Sequence, residues 1–191
     1  MARSTPGTML DAGDGVVLRP IEPGDAPELF ALTEANRHYL RRWLPWVDGV
    51  TKPADTLDFI ESAARQPSQG QGFVAVMVHG GAIIGVIGHH GIDWDQRAAS
   101  LGYWIAEAWQ GRGVATRACR AMIDDAFGRL GIERVTIACA TGNCHSRAIP
   151  ERLGFAAVRT VAAIEQLHDR LVDHVVYALD RPGREERSGG S

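Results

Sequence analysis

The stretch from residue 109 to residue 116 constrains the fold more than any other part of the sequence. It reads Trp-Gln-Gly-Arg-Gly-Val-Ala-Thr and joins a segment of strand composition, 100–105, to one with apolar residues at helical spacing, 114–130. A helix that begins at the second glycine points unpaired N–H groups and the positive end of its dipole into the turn. The two glycines let a ligand approach the backbone closely, and the arginine between them adds charge. The stretch therefore predicts a strand-to-helix turn that binds a pyrophosphate.

Two other phosphate-binding loops fit this turn less well. A Walker loop has Lys followed by Ser or Thr after its last glycine, whereas Val114 and Ala115 follow Gly113. A Rossmann fingerprint has a third glycine and an acidic residue at the end of the next strand. Here Thr116 takes the glycine position, and 137–140 contains no carboxylate. A glycine turn without a ligand is the remaining alternative for these residues taken alone.

Four motifs in a fixed order support a resemblance to a known family. They are Gly-Tyr-Trp-Ile at 102–105, Gln-x-x-Gly-x-Ala at 110–115, Asn-x-x-Ser…Leu-Gly-Phe at 143–155 and Leu-Val-Asp-His-Val-Val-Tyr at 171–177. Over residues 15–180 the chain resembles the GNAT N-acetyltransferases. Within that superfamily it is most similar to the ribosomal-protein serine/alanine N-acetyltransferases, the RimJ/RimL-like branch.

Size and composition are those of one globular domain. The chain has 191 residues, of which 45% are hydrophobic and 23% charged, and this is enough apolar material for one sizeable core. The first fourteen residues are small and polar, and the residues from 182 onward are rich in glycine, serine and charge. We therefore expect a disordered tail over 1–14, a single acetyltransferase domain over 15–181 and a disordered tail over 182–191.

Apolar periodicity predicts strands alternating with helices between those tails. The predicted strands cover 16–19, 73–79, 82–90, 97–105, 134–139, 155–161 and 171–179, and the predicted helices start at 25 and near 55 and cover 114–130 and 147–153. Asp25 and Glu28 resemble a capping box, and Gly80-Gly81 indicates a tight hairpin. The pattern is that of an α/β sandwich. The resemblance implies a mixed, mostly antiparallel central sheet of about seven strands flanked by helices, with a splayed parallel pair, 101–105 and 135–140, at the cofactor site.

Charge and cysteine content argue against several classes of protein. A net charge of −3 and a pI near 6.1 disfavour broad binding of nucleic-acid phosphates. Cys119, Cys139 and Cys144 are odd in number and lack metal-type spacing, so a disulfide framework is not indicated. The N-terminal region has no apolar run of signal-peptide length. We expect a cytoplasmic protein with neither nucleic acid nor membrane as its partner.

The resemblance implies acetyl-CoA as the acetyl donor. In this family the pantetheine lies along the first strand of the splayed pair like an added strand, and the helix that follows the glycine turn holds the pyrophosphate. The residues expected to contact the cofactor are Tyr103, Trp104, Ile105, Gln110, Gly111, Arg112, Gly113, Val114, Ala115, Thr116, Asn143, Ser146 and Arg147.

The resemblance also implies direct attack of an amine on the thioester. Ser146 takes the position of the serine that protonates the departing thiolate, and Glu165 that of the glutamate that accepts the amine's proton. As alternatives, Ser146 can cap the short helix that follows, and Glu165 can be a solvated carboxylate in a predicted loop. Many relatives carry a glutamate where this chain has Ser100. The base is then Glu165, or His90 or Asp93 acting through water.

Metal and acyl-enzyme chemistry are disfavoured. His89 and His90 are adjacent on a predicted strand, so they face opposite sides and cannot easily share an ion with the aspartates that follow, and we predict no metal site. Cys144 invites an acyl-enzyme interpretation. His145 is the only residue nearby in sequence that could activate the thiol, however, and the side chains of adjacent residues rarely meet.

The acceptor is expected near 37–47. This segment contains three arginines and two tryptophans, which can hold a peptide of acidic character, or the tryptophans can be core anchors. About a fifth of α-amino groups but only about one lysine in a thousand is neutral near physiological pH. We therefore expect the acceptor to be a primary amine, foremost the N-terminal α-amine of a protein or peptide. A small-molecule amine, a non-catalytic acyl-CoA-binding module and a homodimer stay open.

Overall fold

One mixed sheet with helices on both faces forms the body of the chain. The structure is a computed structural model and describes residues 9–168 and 170–183. The strands within them are β1 (Leu10–Asp11), β2 (Val16–Pro20), β3 (Val74–His79), β4 (Ala82–Asp93), β5 (Ala98–Ile105), β6 (Arg134–Ala140), β7 (Ala156–Leu167) and β8 (Arg170–Asp180). The helices are α1 (Ala26–Ala35), α2 (Arg37–Leu40), α3 (Pro53–Arg65), α4 (Val114–Gly128) and α5 (Cys144–Arg152). Short 3₁₀ turns lie at Pro23–Asp25, Pro45–Gly49, Pro67–Gln69 and Glu107–Trp109.

The strand order confirms a mixed, mostly antiparallel sheet. The order is β1-β2-β3-β4-β5-β6-β8-β7, and among these neighbours only β5 and β6 are parallel. The described sheet has eight strands rather than about seven, because Leu10 and Asp11 pair with β2. The expected N-terminal tail therefore includes a strand; its residues 1–8, and residues 184–191 of the expected C-terminal tail, lie outside the described part of the chain.

The parallel pair separates after three residues, as the resemblance implied. Ala98–Ser100 of β5 pairs with Arg134–Thr136 of β6. Beyond that point β5 stays paired with β4, and β6 stays paired with β8. A wedge therefore opens between the second halves of β5 and β6, and in the described part of the chain no strand pairs with the two edges that face it.

Alternating side chains along the sheet supply two apolar layers. On one face Leu101 of β5 and Ile87 of β4 pack in a buried cluster with Met122 of α4. On the other face Val76 and Val86 pack in a second cluster with Leu29 of α1 and Ile60 of α3. The hairpin predicted at Gly80-Gly81 is confirmed, since both glycines have positive φ and His79 pairs with Ala82.

The start of α1 differs from the predicted capping box. The Asp25 carboxylate accepts the Glu22 N–H at 2.9 Å and pairs with Arg19 at 2.6 Å, and it makes no capping bond to α1. Burial raises the pKa of Asp25, but the bonds from Arg19 and Glu22 outweigh it and hold the pKa below its ordinary value. Glu28 accepts the Ile83 N–H at 2.6 Å and so anchors α1 to β4.

Asn36 separates α1 from α2. Its side-chain amide donates to the Leu32 carbonyl at 2.8 Å, and its Oδ1 accepts the Glu107 N–H at 2.8 Å. The second bond joins the helical segment to the turn that follows β5.

His89 is a buried polar residue on the α4 face of β4. Its side chain is 1% exposed, and neither ring nitrogen has a hydrogen-bond partner among the described residues. Phe73 packs edge-on against the ring at 5.6 Å. Burial lowers the pKa of His89 to about 4; Asp125 opposes this shift, whereas His90 and Arg129 reinforce it.

We expect the stability of the fold to decline as the pH falls from 6.5 to about 4. In the unfolded chain this histidine takes up a proton near its ordinary pKa, whereas in the folded chain it stays neutral until about pH 4. Its contribution to the free energy of unfolding therefore falls by roughly 3 kcal/mol between the two ends of this pH range. Denaturant titrations across that range should show the decline removed in His89→Leu and retained in His38→Leu, an exposed control. Equal pH slopes in the parent and in His89→Leu would contradict this.

Candidate active site

Two adjoining cavities occupy the wedge between β5 and β6. The first, about 550 Å³, reaches the glycine turn and is called here the loop-side cavity. The second, about 620 Å³, extends between α1, α3 and the sheet and is called the helix-side cavity. Tyr103, Trp104, Asn143 and Ser146 line both cavities, so the two spaces meet at the start of α5.

The glycine turn has the backbone geometry of an anion site. Gly111 and Gly113 have φ values of 70° and 72°, in the left-handed region that favours glycine. Gly113 is the N-cap of α4, so the first N–H groups of this fifteen-residue helix point into the turn. Most of the residues expected to contact a cofactor line the loop-side cavity: Tyr103, Trp104, Ile105, Gln110, Gly111, Gly113, Val114, Ala115, Thr116, Asn143 and Ser146.

Two of the expected cofactor residues lie elsewhere. The Arg112 guanidinium packs over the Trp109 ring at 4.9 Å. Arg147 donates to the Tyr177 hydroxyl at 2.9 Å and to the Thr141 carbonyl at 3.0 Å, and thus ties α5 to the sheet. Neither arginine is among the described residues that line the two cavities.

Two arginines that the sequence analysis missed line the loop-side cavity instead. Arg117 lies one turn into α4 and pairs with Asp14 at 3.1 Å. Arg152 of α5 donates to the Thr116 hydroxyl at 3.1 Å. Arg117 follows Gly113 by four residues along a helix, and this spacing could have predicted that its side chain lies near the glycine turn. Arg152 depends on how α5 packs against α4, which no local pattern reveals.

Ser146 lies at the junction of the two cavities with its hydroxyl directed into a polar cluster. Asn143 is the N-cap of α5, because its Oδ1 accepts the Ser146 N–H at 3.2 Å; the alternative of Ser146 as the cap is wrong. The Ser146 hydroxyl lies 3.3 Å from the Tyr103 hydroxyl and 3.2 Å from the Cys139 sulfur. Burial raises the pKa of Tyr103 and of Cys139, so both stay neutral near physiological pH. Cys144 is exposed and lines the loop-side cavity.

Glu165 belongs to β7 and not to the predicted loop. Its carboxylate lies 3.1 Å from His174 Nε2 on β8, and both side chains are mostly buried and line the helix-side cavity. A bulge between Val161 and Glu165, with Ala163 at φ 50°, sets this placement. Asp173 accepts the Ala163 N–H at 2.8 Å and holds the bulge. The sequence analysis missed His174, although it lies within the 171–177 motif.

The other candidate bases are divided between two places. His90 and Ser100 line the helix-side cavity, and burial lowers the pKa of His90. Gly102 makes room for the His90 ring, because a Cβ there would lie 2.2 Å from Nε2. Asp93 accepts the Asp95 and Gln96 N–H groups and so forms a turn.

The two adjacent histidines lie on opposite faces of β4. His90 lines the helix-side cavity, whereas His89 is buried in the cluster under α4. Across residues 9–168 and 170–183, no group of three or more His, Cys, Asp or Glu side chains lies close enough to hold a metal ion.

The segment 37–50 forms a wall of the helix-side cavity. Trp43, Leu44 and Trp46 line it, and the Trp46 ring is tilted against Trp104 at 6.1 Å. The arginines of this segment bind its own groups: Arg37 donates to the Val47 and Val50 carbonyls, Arg41 pairs with Asp48 at 2.6 Å, and Arg42 lies over the Tyr39 ring. The tryptophans therefore face the cavity while the arginines fix the segment.

The sheet has the splayed parallel pair that the resemblance implied, and the fold is that of an acyltransferase. A family model described as the acetyltransferase (GNAT) domain matches residues 16–156. The chain belongs to the GNAT acetyltransferase family.

Relatives named for ribosomal N-acetylation place the chain in the RimJ/RimL-like branch. The chain is 39% identical over 142 residues to the putative ribosomal N-acetyltransferase YdaF of Bacillus subtilis (strain 168). The matched region covers 73% of this chain and 77% of that protein. It is similar to the solved structure of RimL, a ribosomal L7/L12 alpha-N-protein acetyltransferase in complex with coenzyme A, with a TM-score of 0.87, 24% identity and 91% and 98% of the two chains covered. It is also similar to the microcin C7 self-immunity acetyltransferase MccE in complex with acetyl-CoA and AMP, with a TM-score of 0.84, 25% identity and coverage of 89% and 94%.

In the part of the chain that the structure describes, every helix is too short or too polar to cross a bilayer.

Gly113→Glu should raise the Kd for acetyl-CoA by about a hundredfold, measured by isothermal titration calorimetry. The new residue needs a strained φ, its Cβ would lie 2.9 Å from Arg117 Nη1, and its carboxylate would repel a pyrophosphate. Gly128→Glu, at the other end of α4, is the matched control, because its Cβ meets nothing within 4 Å. Unchanged affinity in a folded Gly113→Glu protein would discredit the turn as the pyrophosphate site.

Proposed function

We propose that the protein transfers an acetyl group from acetyl-CoA to the N-terminal α-amine of a protein or peptide. The observation that carries the proposal is the meeting of the two cavities at Ser146, with Glu165 facing the second of them. A donor bound in the loop-side cavity and an amine bound in the helix-side cavity would therefore meet at one hydroxyl and near one carboxylate.

Acetyl-CoA is the acetyl donor of this acyltransferase. Membership of the GNAT family supports this, as does the acetyl-CoA complex of the similar acetyltransferase MccE. The residues fit such a donor: the glycine turn and the start of α4 present N–H groups to a pyrophosphate, and Arg117 and Arg152 add positive charge. The unpaired edge of β5 offers backbone groups to an extended pantetheine. When bound, acetyl-CoA supplies the activated acetyl thioester.

Glu165 and Ser146 have complementary roles in this proposal. Glu165 accepts the proton that the amine gives up as the C–N bond forms, directly or through one water. His174, 3.1 Å from the Glu165 carboxylate, holds it toward the cavity. Ser146 donates a hydrogen bond to the sulfur as the C–S bond breaks, and the thiolate then takes a proton from solvent. Much of the rate comes from holding amine and thioester in contact.

An α-amine suits this site better than a lysine side chain. A substantial fraction of α-amino groups is neutral near physiological pH, so a single carboxylate is sufficient as the base. Relatives named for ribosomal N-acetylation support a protein acceptor. A cytoplasmic location belongs to the same proposal, because ribosomal proteins are found there.

We expect unblocked peptides to gain one acetyl group and N-blocked lysine peptides to gain none when the protein and acetyl-CoA are supplied. Mass spectrometry of the peptides and a free-thiol assay, run on the same samples, measure the transfer. Acetylation confined to small amines such as polyamines would contradict the proposal. Thiol release without any acetylated product would show hydrolysis and contradict it as well.

Glu165→Gln should lower kcat by about tenfold or more while the Kd for acetyl-CoA stays within about twofold. The amide keeps the size and a hydrogen bond to His174 but cannot accept the proton. The control is Glu61→Gln on the exposed side of α3, which should match the parent in both quantities. A kcat equal to that of the parent across pH 6 to 9 would remove Glu165 from the reaction.

A further inference from the structure

The helix-side cavity is apolar far beyond the point where the amine must lie. From Glu165 it extends over β5 toward α1 and α3. The large side chains that line this part are Leu29, Trp43, Trp46, Phe59, Val86 and Trp104. Its volume of about 620 Å³ is within the range that holds a drug-sized molecule, which is more than one amino-acid side chain occupies.

Charged groups in this cavity are confined to one end. Of the described residues that line it, Glu165 is the only carboxylate, and it is paired with His174. Neither lysine nor arginine is among these lining residues, because Arg37 and Arg41 bind groups of their own segment. Among these lining residues, a second cation on the acceptor, as in a polyamine, would find no carboxylate other than Glu165, and an acidic side chain would find neither lysine nor arginine.

Two glycines form part of the floor of the cavity. Gly88 and Gly102 lie side by side on β4 and β5, and both line the cavity. A Cβ would be crowded by Val74 at 3.0 Å at the first position and would clash with the His90 ring at 2.2 Å at the second. The His90 ring therefore lies over Gly102 and forms part of the floor.

We propose that the acceptor is a peptide N-terminus with bulky apolar side chains at its first two positions, and that these side chains occupy the helix-side cavity. This rests on the proposed function, since it places the α-amine beside Glu165. Burial of each added methylene against these walls raises kcat/KM, whereas a charged residue at either position loses its hydration without gaining a partner.

The test uses peptides of equal length that differ only in their first two residues. Leu-Phe, Ala-Ala, Ser-Glu and Ser-Lys peptides are compared by kcat/KM at saturating acetyl-CoA. Leu and Phe each have three or more side-chain carbon atoms beyond those of Ala. In an apolar pocket we expect this to raise kcat/KM for Leu-Phe at least tenfold over Ala-Ala, and by more over the charged pairs.

Two cavity-wall variants assign that preference to this cavity. Phe59→Ser and Trp46→Ser change side chains that are 44% and 41% exposed, so neither should unfold the protein. Each should lower kcat/KM for Leu-Phe by about fivefold or more through KM, with little change for Ala-Ala. Phe59→Ser, which lies away from the loop-side cavity, should also leave the Kd for acetyl-CoA unchanged. Val158→Ser, which is 55% exposed on β7 and lines neither cavity, is the matched control.

The outcomes separate this inference from the proposed function. Equal acetylation of all four peptides, or a Leu-Phe preference that survives both wall variants, would overturn the inference and leave the α-amine acceptor intact. If phenethylamine, a small amine, were acetylated with a higher kcat/KM than any peptide, the inference that a peptide occupies the cavity would be overturned. Acetyl-CoA binding without acetylation of any peptide would overturn the proposed function.

Discussion

Loss of pairing between β5 and β6 after three residues is the constraint on which the site depends. The parallel ladder ends at Ser100 and Thr136, and from there each strand keeps only its outer neighbour. Backbone groups inside a protein need partners, so water or a bound molecule pairs with the two bare edges. The glycine turn, Ser146 and the apolar cavity are all arranged around this opening.

Local patterns were enough to predict most of the fold and the loop-side half of the site. The apolar alternation at 82–90, the glycine pair at 80 and 81 and the helical spacing after Gly113 each act over a few residues, and the structure has a strand, a hairpin and a helix there. The Gln-x-x-Gly-x-Ala motif likewise depends on consecutive residues, and those residues line one cavity.

Features that depend on contacts distant in sequence were missed or misjudged. β1 has only two residues, and only its pairing with β2 defines it as a strand. Glu165 was expected in a loop, yet this segment pairs with β8 in the sheet, with a bulge before Glu165. Arg147 was expected to contact the cofactor. Its guanidinium instead points toward Tyr177, which is distant along the chain, and toward Thr141, which lies outside its helix. The N-cap of α5 is Asn143, one turn before Ser146, which the sequence analysis gave as a possible cap.

The irregular register of β7 has a second consequence, at the outer edge of the sheet. Among the described residues, the twelve-residue strand β7 is paired on one side only, and such an edge is a template for edge-to-edge association with another chain. The register shifts between Ala157 and Arg159 and between Val161 and Glu165 interrupt the even row of N–H and C=O groups that such a contact requires. At the opposite edge β1 offers only two residues. The bulge that directs Glu165 into the cavity therefore also guards the sheet against aggregation.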